Sequence, residues 1–193
     1  MNGFDRRRKA KEQTILQTAL ALFMHQGVKN TSVQAIAKQA SVSPVTIFNY
    51  FGSKENLLDQ TCLLYFNSTY DDFKRMIDSK KSFEEKMQYL IFIKGQVSKD
   101  IHNEFYEALM LKYSHPDDSM TEFLQKGIVL YQALFEQGKE EGMINQELSM
   151  PALMLYLQLL TTSMQDEAIY KDILPFSEEI MEMFLYGIYG KRE

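Results

Sequence analysis

The chain has 193 residues, a formal net charge of −5, 45% apolar and 24% charged residues, and a single cysteine, Cys62. That length supports one large domain or two small ones, with about 70% of the unfolded surface buried on folding. Ordinary apolar and charged usage excludes disordered, collagenous and low-complexity classes, and a lone cysteine excludes an intramolecular disulfide or a CxxC site.

In chain order, the first element is a helix over about Arg6 to Gln26. Leu16, Ala19, Leu20 and Phe23 recur at helical spacing, and Gly27 stops the helix. Thr31 and Gln34 have capping-box spacing, and Val33, Ile36, Ala37 and Ala40 form one apolar face of a two-turn helix. Ser43-Pro44 reads as N-cap and first helical residue of a short helix with Ile47 and Phe51 inward, ended by Gly52. Ser53 opens a helix toward about Ser79. A capping box at Ser82–Glu85 opens the next, to about Lys99, and a further helix covers roughly Ile101 to Lys112. Pro116, Pro151 and Pro175 open the last three, which end near Gly142, Glu167 and Tyr189. No useful period-2 strand or internal repeat interrupts this series, so an all-α chain of nine helices is expected. The stretch Leu153–Leu160, apolar except for Gln158, is far short of the ~20 residues of a membrane span. With no leader pattern at the N-terminus, a soluble cytoplasmic protein is expected.

Charge is uneven. Residues 1–60 hold eight Lys and Arg against four Asp and Glu, giving +4, whereas residues 61–193 hold 13 against 22, giving −9. A basic head on an acidic body points to a nucleic-acid-facing end. The same region holds the second and third helices, separated by Ser41-Val42-Ser43 and preceded by a helix able to pack on both. That is a helix-turn-helix arrangement. Ala37 and Ala40 let the helices meet, Ile47 and Phe51 anchor the second, and Thr46 and Asn49 face outward.

Catalytic patterns are missing from the sequence: no HExxH, GxSxG, P-loop or glycine-rich dinucleotide turn occurs. His25, His102 and His115 lack helix-spaced metal-ligand partners, and Cys62 lies within an apolar helix. No enzyme activity and no cofactor are expected.

The stretch from Thr31 to Leu58, above all Tyr50-Phe51-Gly52-Ser53-Lys54-Glu55-Asn56-Leu57-Leu58, resembles the DNA-binding segment of TetR-family transcriptional regulators. The resemblance covers roughly residues 8–60. It implies a nine-helix fold with a helix-turn-helix domain at 1–52 and a ligand-binding and dimerisation domain at 53–193. It further implies a homodimeric repressor that binds a palindromic operator in double-stranded DNA and is released by a small apolar or amphipathic effector. Carried over by position, Thr31 and Ser32 begin the second helix at phosphate, and Ser43 caps the recognition helix. Val45, Thr46 and Asn49 reach base edges, and Tyr50 and Lys54 reach phosphates. The family often has glycine at the positions of Ser41 and Val45, and tyrosine at that of Phe48.

In the second half, Phe92, Phe105, Tyr106, Met110, Tyr113, Tyr131 and Phe135 are candidates to line an adaptable apolar pocket. The last two helices are apolar on more than one face. By resemblance they form a four-helix dimer interface through Met154, Leu157, Thr161, Ile180, Phe184 and Ile188. The rival reading is an all-α small-molecule-binding protein without sequence-specific DNA binding.

Overall fold

The structure, a computed structural model, describes residues 3–90, 101–163, 169 and 176–188. Among them are eight helices and one helical stretch, and no strand. They are α1 (Gly3–Gln26), α2 (Val33–Gln39), α3 (Pro44–Phe51), α4 (Lys54–Ile77), the stretch α5 (83–90), α6 (Asn103–Ser114), α7 (Asp118–Glu140), α8 (Met150–Ser163) and α9 (Ser177–Ile188).

Two compact units form. The first takes residues 1–68 and 100–112, the second 69–99 and 113–193. The first unit holds α1 to α3, α4 as far as residue 68, and α6 as far as residue 112. Aromatic burial places α6 there. Phe105 of α6 is fully buried, stacked on Phe23 at 6.0 Å and met edge-on by Tyr65 at 6.1 Å. Such pairs add about 0.5–1.5 kcal/mol beyond the area they bury. Ile15, Ala19, Ile36, Ala37, Ile47 and Leu57 fill the rest of this core.

The helix ends follow local chemistry, with corrections. Ser32, not Thr31, caps α2 by accepting from the Ala35 N–H at 3.1 Å. Ser43 caps α3 by accepting from the Thr46 N–H at 3.0 Å, with Pro44 first in the helix. Asp117 caps α7 through the Met120 N–H, which leaves Pro116 outside that helix. Helices α2 and α7 end alike. The Val42 N–H reaches the Ala37 carbonyl at 2.9 Å and the Ser41 N–H the Lys38 carbonyl at 3.3 Å. Met143 and Gly142 repeat the pattern on Gly138 and Lys139. Both are Schellman caps, which need a left-handed residue after the C-cap. Gly142 fills that position at φ 69°, whereas Ser41 fills it at φ 55° without glycine's freedom.

The second unit packs Phe83, Met87, Leu130, Leu134, Phe135, Ile144, Leu153 and Ile188 together. Gly138 allows the closest approach, because a Cβ there would lie 2.8 Å from the Phe83 ring. Lys86 is buried, its Nζ donating to the Ile77 carbonyl at 2.6 Å and to Gln137 Oε1 at 2.7 Å. A cation on the last carbonyls of α4 is favoured by the helix dipole.

Candidate nucleic-acid interface

Helix α3 is two-faced because its eight residues place Ile47 and Phe51 one turn apart. Both are turned into the core, 1% and 4% exposed. The opposite face carries Val45, Phe48 and Asn49 in the open. Thr46 lies half-buried between, its Oγ1 2.8 Å from Ser43 Oγ.

Beside α3 runs an open groove of about 780 Å³. Phe4, Arg7, Arg8 and Lys11 of α1 line one wall, and Ser41, Asn49 and Tyr50 line the other. The Arg8 guanidinium sits over the Tyr50 ring, 5.6 Å from its centre, as a cation–π pair. Arg7, Arg8 and Lys11 were not among the site residues expected from the sequence. Their signal was the +4 charge of residues 1–60, but charge count alone does not say which cations share a groove with α3.

Two of the expected residues have internal partners. Thr31 is fully buried and its Oγ1 donates to the Gly27 carbonyl at 2.7 Å, so its hydroxyl does not face a ligand. The Lys54 Nζ donates to the Val28 carbonyl at 2.7 Å. An ammonium has three N–H donors, so this bond leaves two. Ser32 and Ser43 stay exposed, and Tyr50 is half-buried.

The loop behind the interface is tied to α6. The His102 N–H donates to the Met24 carbonyl at 2.8 Å, and the Lys29 N–H donates to Glu104 Oε2 at 2.8 Å. That backbone N–H, with the Lys29 charge, holds the Glu104 carboxyl below its ordinary value. Gly27, at φ 80°, fits under the tie because it has no Cβ. One added there would lie 2.5 Å from the His102 ring.

The candidate pocket residues divide between the units. Phe105, Tyr106 and Met110 lie in the first, Tyr113, Tyr131 and Phe135 in the second, and Phe92 falls outside the described residues. Phe105 and Phe135 are fully buried core of their own units. Burial pushes the Tyr113 phenol up to about 12. Thr161, expected at a dimer interface, is half-buried and its Oγ1 donates to the Gln158 carbonyl at 3.0 Å. Ile188 is core of the second unit, and Met154 and Leu157 pack against that core. Ile180 is half-buried, and the Phe184 side chain lies outside what is described. Among the described side chains of α8 and α9, Leu155, Tyr156, Leu159 and Met183 are apolar and open.

Cys62 is buried and its thiol is pushed up to about 12 by that burial, so it stays neutral and packed. Among the described residues no group of three or more His, Cys, Asp and Glu gathers as a metal site. No helix among them is long and apolar enough to cross a membrane.

Residues 15–61 match the family described as bacterial regulatory proteins, tetR family. An uncharacterised HTH-type transcriptional regulator of Bacillus subtilis (strain 168), YuxN, is 44% identical over 62 residues; the match spans 32% of this chain and 21% of that relative. The fatty acid metabolism regulator protein of the same organism is 22% identical over 194 residues, covering 96% of this chain and all of that one. A crystal structure of the Bacillus subtilis transcriptional regulator FadR in complex with stearoyl-CoA has a TM-score of 0.57 at 18% identity, covering 92% and 99% of the two chains.

Proposed function

We propose that this chain, a TetR-family transcriptional regulator and not an enzyme, is a homodimeric cytoplasmic repressor released from a palindromic operator by an amphipathic ligand. The observation that carries the reading is the two-faced α3, with Ile47 and Phe51 holding it to the core while Val45, Phe48 and Asn49 face out beside a basic groove. In this role α3 enters the major groove, and two copies related by a two-fold axis read the two half-sites. Arg7, Arg8, Lys11, Tyr50 and the free donors of Lys54 take backbone phosphates, with Ser32 and Ser43 beside them.

The exposed Leu155, Tyr156 and Leu159 of α8 and Met183 of α9 support a second copy docking on these helices. The partly buried aromatics Phe73, Tyr113 and Tyr131 of the second unit support an apolar ligand. The likeness to a fatty acid metabolism regulator and to FadR in complex with stearoyl-CoA makes long-chain acyl thioesters the first class to try.

The test is a mobility-shift assay with the DNA upstream of this protein's own gene, followed by titration with stearoyl-CoA. A specific shift that the thioester reverses supports the whole reading. A shift indifferent to acyl thioesters removes that ligand class. Ligand binding without any specific shift favours an all-α small-molecule-binding protein instead.

A further inference from the structure

Val45 is 65% exposed and Phe48 47% exposed, one turn apart on the outward face of α3. Ile47 and Phe51 anchor the helix on the other side. Large apolar groups on an otherwise polar binding face need an apolar partner to gain anything from burial. The base edges in the major groove of B-DNA offer one such group, the C5 methyl of thymine. Asn49, beside them, is the residue type that pairs with adenine N6 and N7. The neighbouring hydroxyl is less available for readout, since Thr46 Oγ1 already meets Ser43 Oγ at 2.8 Å.

We propose that Val45 and Phe48 select thymine methyl groups, making this regulator specific for T·A pairs at two adjacent positions of each half-site. Residues three apart on a helix are separated by about 4.5 Å along its axis. Stacked bases are about 3.4 Å apart on a strand, so the two side chains address neighbouring pairs. The inference rests on the DNA-binding reading above.

The full chain is first used to select sites from a random duplex library. Each thymine of the selected half-site is then replaced by deoxyuridine, which erases the methyl and keeps every hydrogen-bonding edge. Two adjacent positions should each weaken wild-type binding about fourfold, the transfer value of one buried methyl. Val45→Ala should become insensitive to uracil at one of these positions and Phe48→Ala at the other. Val45 and Phe48 both lie on the open face of α3, so the variants should stay folded, as circular dichroism checks. Exchanging the T·A pair for C·G should cost affinity that 5-methylcytosine partly restores. A defined selected site that tolerates uracil throughout overturns the proposal and leaves the DNA-binding reading standing, as does undiminished uracil sensitivity in both variants. A library that yields no enriched site overturns the DNA-binding reading itself, and the proposal with it.

Discussion

Lys54→Met removes an ammonium and keeps most of the aliphatic stem, so it separates two jobs given to one side chain. In the free protein the Nζ donates to the Val28 carbonyl at 2.7 Å, joining the start of α4 to the loop before α2. A hydrogen bond from a charged donor contributes roughly 1.5–3 kcal/mol, and with Lys54 only half-buried, water competition lowers this to about 1–2 kcal/mol. The two remaining N–H donors are proposed to meet a phosphate. Each such contact contributes about 0.9 to the slope of log K against log salt, so a dimer lacking both ammonium groups should lose about 1.8. Urea unfolding measures the first effect, and fluorescence anisotropy on an operator across a salt series measures the second. Lys11→Gln, an exposed groove residue, should lower the slope and leave unfolding unchanged. An unchanged unfolding free energy in Lys54→Met would refute the internal bond as a stabilising contact. A normal stability loss with an unchanged slope would refute the phosphate contact.

Gly27→Ala should destabilise by about 2–3 kcal/mol, from left-handed strain of about 1–2 and a lost hydrogen bond of about 1 as Glu104 is displaced. Adding His102→Ala removes the ring nearest the new methyl, so the alanine should cost less in that background; equal costs in denaturant would discount the contact. Ser41→Gly should raise unfolding stability by about 0.5–1 kcal/mol, because a left-handed serine fills a Schellman position better suited to glycine; a loss would mean the serine side chain holds the turn. Because Glu104's folded carboxyl lies below its ordinary 4.5, its contribution is present above that pH and lost as pH falls through the folded value. Glu104→Gln should therefore flatten the acid side of the stability profile, and an unaltered profile would count against the tie to Lys29. Leu159→Glu, at a 60% exposed site, should give a folded monomer by sedimentation and weak operator binding; an intact dimer would remove α8 from the proposed interface.

Much of the fold was legible because helix ends and helix faces depend on residues within about four positions of one another. Ser43-Pro44, Gly27 and Gly52 marked ends that the structure has, and the Ser82–Glu85 box forms, with the Ser82 N–H on Glu85 Oε2 at 2.9 Å. The inward pair Ile47 and Phe51 followed from spacing alone. Tertiary structure decided what each polar group reaches across the chain. Thr31 turned inward because the Gly27 carbonyl, at the end of α1, needed a donor where no helical one remained. Lys54 found Val28, 26 positions away, and Glu104 found Lys29, 75 positions away. Periodicity carries no record of such pairs. It also marked the last helices as apolar on several faces without ranking them. Packing ranked them, placing Ile188 in the core and leaving Leu155 and Leu159 outside. Likewise, stacking on Phe23 drew Phe105, and α6 with it, into the unit of the recognition helix. Local sequence determines which helices form and where they end; which unit a helix joins depends on burial between segments far apart in the chain.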